Sequence, residues 1–426
     1  MEQFIIEGNT PLSGTVKPGG NKNAALPLLA ASLLTDEPLI LHNVPRIRDV
    51  ENMCQLLTDL GVDIAEVGDH TLRLQASHVR KTDLDSELCR EIRASILLAG
   101  PVLARLGHVE LPPPGGDVIG RRRLDTHFLA FKHLGAEMEA NDRFRLRADR
   151  LVGADILLDE ASVTGTENAV MAAVLARGAT IFRNAASEPH VQELCRCLVQ
   201  MGATIEGIGS NMLMIHGVDR LHGTEFTIGA DYLEVGSFIA LAAVTGGEVL
   251  IQDASPEHLG MTRLVFERLG VHWETRGRDV FVPRDQSLTV VPDMGGAIPE
   301  IKTNVWPAFP TDLTSIAIAV ATQAAGSVLF HDWMHAGRMY FTDKLVSMGA
   351  RIVLCDPHRC MVQGPAWLRG EALESPDIRA GMALLIAALV ARGTSIIRKV
   401  GQIDRGYERV DEKIRALGGQ IERVEN

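Results

Sequence analysis

The feature that most constrains the fold is a short segment that occurs six times along the chain. In each copy a helical pattern reaches leucine or methionine followed by glycine, and a strand-like alternation follows. The copies read LLTDLGVDI, FKHLGAEME, LVQMGATIE, FERLGVHWE, LVSMGARIV and IRALGGQIE. Their glycines, about 70 residues apart, are Gly61, Gly135, Gly202, Gly270, Gly349 and Gly418. Such a period predicts a supersecondary unit repeated six times.

A second element recurs with the first: a helix rich in alanine, leucine and isoleucine, then a turn and a strand. Clear copies are NAVMAAVLARGATIFRNA, SFIALAAVTGGEVLIQDA and ALLIAALVARGTSIIRKV. A helix that is apolar on every side must be buried, so we expect these helices inside and the sheets packed around them. Each glycine of the first element should end its helix, because glycine tolerates the left-handed conformation of the helix C-cap.

Six units of this kind fit two arrangements. A solenoid would stack them in a line, but the units are long, their helices are apolar all round, and neither terminus carries a polar capping repeat. We therefore expect two globular halves of three units each, with the chain passing between them near Gly229 to Asp231. The cleft between such halves is the expected active site.

Charge and hydropathy narrow the class of protein. The formal net charge of -12 argues against a nucleic acid or an anionic membrane held by diffuse attraction. The longest apolar stretches fall short of the ~20 residues that cross a bilayer. The N-terminal sequence MEQFIIEGNT has no basic region before an apolar stretch, as a secretory signal would. We expect a cytoplasmic protein without membrane insertion.

The cysteine pattern does not predict a disulfide framework or a metal site. Six cysteines are spread over 426 residues. Cys355 and Cys360 bracket a histidine, but no second pair of ligands accompanies them, and a turn between two strands is the better interpretation. Neither a metal nor a cofactor is expected.

Two segments are candidates for anion chemistry. In KPGGNKNAALPLLAA, Lys22 and Asn23 follow two glycines and begin an apolar helix, where backbone amides and an ammonium group suit phosphate or carboxylate. In LPPPGGDVIGRRRLDTH, prolines and glycines predict a loop that presents Asp117 and three arginines, of which at least one should be merely solvated. Loops with such charged tips often carry function.

Seven segments together resemble one family, the bacterial UDP-N-acetylglucosamine enolpyruvyl transferases. In chain order they are GGNKNAALP, NVPRIRDV, RASILLAGP, PGGDVIG, WPAFPTD, DIRA and IDRGYERV. The resemblance runs from Gly19 to the C-terminus and includes the sixfold repeat. It implies transfer of the enolpyruvyl group of phosphoenolpyruvate to the 3-hydroxyl of UDP-N-acetylglucosamine, with release of phosphate by addition and elimination, in the first committed step of peptidoglycan precursor synthesis.

The resemblance also implies the architecture. The family fold is α/β, with two inverse α/β prism (barrel-like) domains, each of three repeated βαβαββ units with helices inside and sheets outside. Carried onto this chain, residues 22–229 form the first domain, which includes the Asp117 loop. Residues 1–21 plus 230–426 form the second.

Site residues follow from the matching positions. The implied catalytic residues are a general acid in the loop, a carboxylate that accepts the hydroxyl proton, and two cations: Asp117, Asp312, Lys22 and Arg405. The residues implied to bind phosphoenolpyruvate are Lys22, Arg122, Arg338, Arg379 and Arg405. Those implied for the UDP-sugar are Asn23, Arg93, Arg122, Asp125, His127, Ser162, Val163, Gly165 and Asp312. No metal is required, because two carboxyl groups fill the roles of acid and base.

The chain departs from the family pattern at three points. Many members carry cysteine where Asp117 stands, so this is an aspartate variant, and we expect it to be insensitive to fosfomycin, which alkylates the thiolate. Arg123 replaces a common proline, and Ala336 with Gly337 replaces an acidic residue and asparagine.

Three alternatives stay open at this point. One is the sister reaction on shikimate 3-phosphate, although the loop PGGDVIG and the Asn-Lys-Asn motif differ from that family. Another is enolpyruvyl transfer to a different nucleotide or sugar nucleotide. The third is a non-catalytic paralogue that binds a UDP-sugar.

Overall fold

The computed structural model describes residues 2–116 and 123–425. Within those ranges the strands are β1 (Glu2–Glu7), β2 (Ser13–Val16), β3 (Leu39–His42), β4 (Asp63–Gly68), β5 (Thr71–Gln75), β6 (His108–Leu111), β7 (Glu137–Ala140), β8 (Phe144–Arg147), β9 (Asp155–Leu157), β10 (Ala179–Arg183), β11 (Thr204–Glu206), β12 (Met212–His216), β13 (Thr224–Thr227), β14 (Glu248–Ile251), β15 (Glu274–Arg276), β16 (Asp279–Val282), β17 (Glu300–Lys302), β18 (Gly326–His331), β19 (Arg351–Asp356), β20 (Arg359–Gly364), β21 (Ala372–Glu374), β22 (Thr394–Arg398) and β23 (Gln420–Glu425).

The α-helices in the same ranges are α1 (Lys22–Ala31), α2 (Arg48–Leu60), α3 (Ser86–Glu91), α4 (Ala99–Leu106), α5 (Asp125–His133), α6 (Val163–Ala173), α7 (Pro189–Gln200), α8 (Tyr232–Thr245), α9 (Gly260–Arg268), α10 (Thr314–Ala321), α11 (Thr342–Ser347), α12 (Ile378–Val390) and α13 (Val410–Ala416). None of these helices is long and apolar enough to span a membrane. The turn between β19 and β20 lies where the two cysteines bracket a histidine, as predicted.

The chain divides into two compact units. The N-terminal unit comprises residues 20–116 and 123–229, and the C-terminal unit comprises residues 2–19 and 230–425. The described part of the N-terminal unit has three sheets, ordered β13-β3-β5-β4, β11-β12-β10-β9 and β6-β8-β7. The C-terminal unit also has three, ordered β21-β22-β1-β23, β15-β16-β14-β2 and β17-β18-β20-β19.

In the C-terminal unit three apolar helices form the centre. Helices α8, α10 and α12 contact one another, and nearly every residue of each is buried. Strands such as β14 and β18 alternate buried and less buried residues, as half-buried strands do. On β18, Val328 and Phe330 are buried while Leu329 is only partly so. Strand β1 pairs with β22 and β23, so residues 2–7 and 420–425 lie in one sheet.

The N-terminal unit follows the same plan. Helix α6 is buried over most of its length and contacts α4 and α5, while α1 contacts α2 and α7. Helices inside and sheets outside, in two sets of three, confirm the predicted inverse α/β prism. All six repeat glycines have positive φ, between 76° and 106°. Gly61, for example, is the left-handed C-cap of α2.

Close packing of α4 against α6 gives a testable prediction about stability. A Cβ added at Gly100 of α4 would lie 2.4 Å from the carbonyl oxygen of Asn168. Because that oxygen belongs to the backbone of α6, the helices must separate, and overpacking of this kind costs about 1–3 kcal/mol. Gly100→Ala should therefore lower the midpoint of urea unfolding. Gly260→Ala in α9 is the control, since nothing lies within 4 Å of its added Cβ; equal midpoints for the two variants would contradict the prediction.

Candidate active site

Three of the predicted residues meet in the C-terminal unit. Asp312 lies in the short turn Thr311–Leu313 that leads into α10. One carboxylate oxygen accepts a hydrogen bond from Nη2 of Arg338 at 3.0 Å, and the other accepts one from Nε of Arg379 at 3.2 Å. The structure thus places one carboxylate between two guanidinium groups.

Burial and charge make this group an anion receptor. The side chains of Arg338 and Arg379 are 3% and 6% exposed. Burial alone would raise the pKa of Asp312, but the charges of Arg379 and Arg338 outweigh it and hold that pKa well below its usual range. Nη1 of Arg379 has no hydrogen-bond partner among the described residues. A second buried carboxylate, Asp332, lies 3.8 Å from Nε of Arg338. The unpaired Nη1 of Arg379 is the buried donor that can bind an anion.

Helix α12 and the segment after β22 position Arg379. The Asp377 side chain caps α12 by accepting hydrogen bonds from the backbone N–H groups of Arg379 and Ala380, both at 2.9 Å. The guanidinium lies 5.2 Å from the ring centroid of the buried Tyr407, a cation–π contact. The Tyr407 hydroxyl lies 2.9 Å from Oγ of Ser237 on α8.

Arg405 precedes Tyr407 by two residues. Its Nη1 donates to Oε1 of Gln402 at 3.2 Å, and the side chain is half-buried. Between them, Gly406 packs so closely on Ile378 of α12 that an added Cβ would lie 2.6 Å from its Cγ2. The chain around Arg405 is therefore fixed against the helix that carries Arg379.

Lys22 begins α1 in the N-terminal unit. Asn21 caps this helix, its Oδ1 accepting from the backbone N–H of Asn23 at 2.9 Å and of Ala24 at 3.4 Å. The Lys22 ammonium forms an ion pair at 2.7 Å with Asp49 of α2, and both side chains are buried. Sequence analysis missed Asp49. The sequence feature that could have identified it is an acidic residue in the NVPRIRDV segment, on the face of α2 that is otherwise apolar and buried.

Arg93 and Asp125 both contact Arg123. Arg93 starts the short helix Arg93–Leu98 and donates from Nη2 to the carbonyl oxygen of Arg123 at 3.3 Å. Arg123 is exposed, but its guanidinium contacts Asp125 at 3.1 Å and Asp159 at 3.0 Å. Asp159, which sequence analysis also missed, accepts a hydrogen bond from the Thr126 hydroxyl as well.

Ser162, Val163 and Gly165 form the start of α6. Oγ of Ser162, the N-cap, accepts a hydrogen bond from the N–H of Gly165 at 3.2 Å. A Cβ at Gly165 would approach that Oγ to 2.9 Å and Cγ2 of Thr126 to 3.2 Å. A side chain at this position would therefore crowd both the Ser162 cap and Thr126 at the start of α5. Asp117 and Arg122 lie outside the described residues.

His127 is buried where α4, α5 and α6 meet, with 1% exposure. Nδ2 of Asn168 lies 3.0 Å from its Nδ1, and Oγ1 of Thr164 lies 3.2 Å from its Nε2. Since the amide nitrogen can only donate, Nδ1 accepts and the ring proton is on Nε2. Burial, with a smaller effect from the Arg93 charge, lowers the pKa of His127 from 6.5 to about 3.

This lowered pKa predicts acid sensitivity of the fold. In the unfolded chain the imidazole takes up a proton below about pH 6.5, whereas in the folded chain it stays neutral until about pH 3. The unfolded chain thus binds more protons between these values, and the free energy of unfolding falls by about 1.4 kcal/mol per pH unit as pH falls through that window. His127→Gln keeps an acceptor and a donor but does not titrate. Between pH 6.5 and 5 the thermal midpoint should drop more steeply for wild type than for the variant; parallel curves would contradict this.

Within residues 2–116 and 123–425, no group of three or more histidine, cysteine, aspartate or glutamate side chains is arranged to hold a metal ion.

Comparison with known proteins gives the class. Residues 6–414 match the family described as EPSP synthase (3-phosphoshikimate 1-carboxyvinyltransferase). Among solved structures, the enolpyruvyl transferase NikO from Streptomyces tendae superposes with a TM-score of 0.87 at 22% identity, covering 99% of both chains. An EPSP synthase from Acinetobacter baumannii gives 0.76 at 17% identity, covering 100% of both. The fold and the match along the chain therefore define a carboxyvinyltransferase.

Sequence relatives narrow the class further. Proteins named UDP-N-acetylglucosamine 1-carboxyvinyltransferase are 55% identical in Bradyrhizobium diazoefficiens, covering 99% of this chain and 98% of that one, and 54% identical in Treponema denticola, covering 99% of each. A third, from Bacteroides thetaiotaomicron, is 48% identical over 100% of both chains. The chain belongs to the UDP-N-acetylglucosamine 1-carboxyvinyltransferase family.

Proposed function

We propose that this chain transfers the enolpyruvyl group of phosphoenolpyruvate to the 3-hydroxyl of UDP-N-acetylglucosamine and releases phosphate. The observation that carries the proposal is the Asp312 carboxylate held between Arg338 and Arg379, with a buried guanidinium donor left over. It places a proton acceptor beside a receptor for an anion. The substrate names of relatives at 47–55% identity support the same reaction.

Phosphoenolpyruvate carries a carboxylate and a phosphate, and the arginines match both. Guanidinium groups bind such oxyanions through two parallel hydrogen bonds, which a lysine cannot offer. Arg338 and Arg379 bind the anion, and Arg405, on the segment packed against α12, adds a third cation. Lys22 and Arg122 complete the set in the proposal. Because Lys22 is paired with Asp49, its ammonium is already oriented when the substrate arrives.

Binding of the anion prepares the base. In this structure two arginines keep the pKa of Asp312 low, so the carboxylate is ionised but a weak base. When phosphoenolpyruvate competes for the same guanidinium groups, their hold on Asp312 weakens and its pKa rises toward the ordinary value. Asp312 then accepts the proton of the sugar hydroxyl as that oxygen forms a bond to C2.

The remaining steps balance the reaction. Asp117 donates a proton to C3, so that the C2–C3 double bond becomes single and a tetrahedral adduct forms. C3 then loses a proton, the double bond re-forms, and the C2–O bond to phosphate breaks. The products are the enolpyruvyl ether and inorganic phosphate, and no oxidant, reductant or metal takes part.

Residues of the N-terminal unit recognise the UDP-sugar in this proposal. Arg93 and Arg122 bind the diphosphate, and the start of α6 at Ser162, Val163 and Gly165 offers backbone groups to the uridine. The list of proposed contacts is completed by Asn23, Asp125 and Asp312. His127 is buried beneath them, so we assign it to holding α5 against α6 rather than to direct contact.

The reaction belongs to peptidoglycan precursor synthesis, and we place it in the cytoplasm. Its residues are divided between domains of residues 22–229 and of residues 1–21 plus 230–426. One other acceptor has specific support: the matching family description and a structural neighbour both name the shikimate enzyme. Shikimate 3-phosphate is therefore the acceptor to compare.

The test is phosphate release from phosphoenolpyruvate with each of four acceptors: UDP-N-acetylglucosamine, UDP-N-acetylgalactosamine, UMP and shikimate 3-phosphate. We expect turnover with the first alone, and its loss in Asp312→Asn. The matched control is Asp356→Asn, which also breaks an aspartate–arginine pair, with Arg359, but at the turn between β19 and β20. Turnover with another acceptor would keep the chemistry and change the pathway. Absence of phosphate release with all four acceptors would favour a non-catalytic UDP-sugar-binding protein.

A further inference from the structure

Asp332, one residue beyond β18, is a fully buried acid that the mechanism above does not use. Its exposure is 0%. Oδ1 accepts hydrogen bonds from the Thr303 hydroxyl and from the N–H of Met334, both at 3.0 Å. Oδ2 accepts one from the Thr311 hydroxyl and lies 3.8 Å from Nε of Arg338. Every one of these contacts is within the C-terminal unit.

The two oxygens of this carboxylate have different neighbours. Oδ1 contacts residues that have no part in the proposed chemistry. Oδ2 contacts Thr311, the residue directly before Asp312, and approaches Arg338, the guanidinium that pairs with Asp312. A single buried atom therefore contacts both the turn that carries the base and the cation bound to it.

The contact between Asp332 and Arg338 compensates a buried positive charge. A buried guanidinium such as that of Arg338 needs compensation, and a carboxylate that also contacts substrate cannot provide it throughout a catalytic cycle. When the substrate anion draws Arg338 away from Asp312, Asp332 stays in place beside its Nε. Arg338 can then change partners by a small rotation instead of leaving its position.

We propose that Asp332 is a positioning residue that acts through Thr311 and Arg338. It keeps the Asp312 carboxylate and the Arg338 guanidinium in their relative positions during the reaction. The proposal rests on the function proposed above. Asp332 touches no substrate. It sets where the Asp312 carboxylate and the Arg338 guanidinium stand relative to the reacting atoms, and errors of about 1 Å in such placement can cost about 100-fold in rate.

Two threonines allow a matched experiment. Thr311→Val and Thr303→Val each remove one hydroxyl that donates to Asp332, on Oδ2 and Oδ1 respectively, with nearly the same change of shape. Thr311→Ser keeps the hydroxyl. We would measure kcat and KM by phosphate release with UDP-N-acetylglucosamine, the affinity for phosphoenolpyruvate by calorimetry, and the thermal midpoint of each variant.

We expect Thr311→Val to lower kcat by about 10-fold or more, while Thr303→Val and Thr311→Ser stay near wild type. The two valine variants should have similar thermal midpoints, since each loses one hydrogen bond to the buried carboxylate of Asp332. Equal loss of activity in both valine variants, or none in Thr311→Val, would overturn the proposal and leave the proposed function standing.

Failure of the function would be seen separately, as absence of wild-type turnover. The positioning role would then be decided by calorimetry: Thr311→Val must weaken phosphoenolpyruvate binding by about 10-fold, through the displaced Arg338, while Thr303→Val must not. Equal affinities of the two valine variants would overturn it.

Discussion

Replacing Arg379 by glutamine is expected to reduce turnover by about 100- to 1,000-fold, the usual effect of removing one preorganised donor from a catalytic site. Its guanidinium is the group that both binds Asp312 through Nε and keeps Nη1 unbonded among the described residues. Glutamine keeps polarity and some length but loses the charge and the two parallel donors. Phosphoenolpyruvate should then bind weakly, and its developing charge should be poorly neutralised.

Two further variants make this prediction specific. Arg379→Lys keeps the charge without the planar fork, so its activity should lie between those of wild type and Arg379→Gln. Arg359→Gln removes an exposed arginine that pairs with Asp356, and should leave turnover unchanged. Phosphate release at saturating and limiting phosphoenolpyruvate separates kcat from KM. If Arg379→Gln retained more than a tenth of wild-type turnover, the assignment of the receptor would be wrong.

Asp117→Cys is expected to convert an insensitive protein into one inactivated by fosfomycin, with little loss of turnover. Many family members carry cysteine at this position, so the chemistry tolerates the change. A thiolate is alkylated readily, whereas a carboxylate is a much poorer nucleophile. The position lies outside the described residues, and the prediction rests on the sequence. The measurement is residual activity after incubation with the drug, together with the mass of the intact protein.

The native cysteines serve as internal controls for that experiment. Burial raises the pKa of Cys89 to about 11 and of Cys54, Cys195, Cys197 and Cys360 to about 12. These thiols are protonated at neutral pH and should not react, while Cys355 is exposed. Peptide mapping should find the adduct at position 117 alone. Inactivation of the wild type, or an adduct only at Cys355, would contradict the prediction.

Prediction of the fold from sequence succeeded because its signals are local and repeated. An alanine- and leucine-rich helix such as α12 has no polar face, so it can only be a core helix whatever surrounds it. Glycine before an alternating segment, as at Gly61, favours the left-handed turn that ends a helix. Six copies of the glycine signal and three clear copies of the apolar helix repeat the same information, so an error at one copy does not change the prediction.

Prediction of the candidate site from sequence was less complete. Asp312, Arg338 and Arg379 were identified by resemblance, and the structure brings them into contact across 26 and 67 positions of the chain. Sequence analysis did not find the acids that pair with these and neighbouring residues. Asp49 pairs with Lys22, Asp159 pairs with Arg123, and Asp332 contacts Arg338 and Thr311. Asp49 lies in a segment that the resemblance covers, but Asp159 and Asp332 do not, and no local pattern links any of the three acids to its partner.

The sequence by itself determined the buried helices, the turn glycines, the two sets of three repeats and the residue types for binding an anion. Hydrophobic periodicity and backbone conformation decide these features, and both act over a few residues. The tertiary structure alone decided which carboxylate meets which cation, how deeply each pair is buried, and therefore that Asp312 is held ionised and His127 neutral. Such pairings depend on distances through space and on local exclusion of water, which no short stretch of sequence specifies.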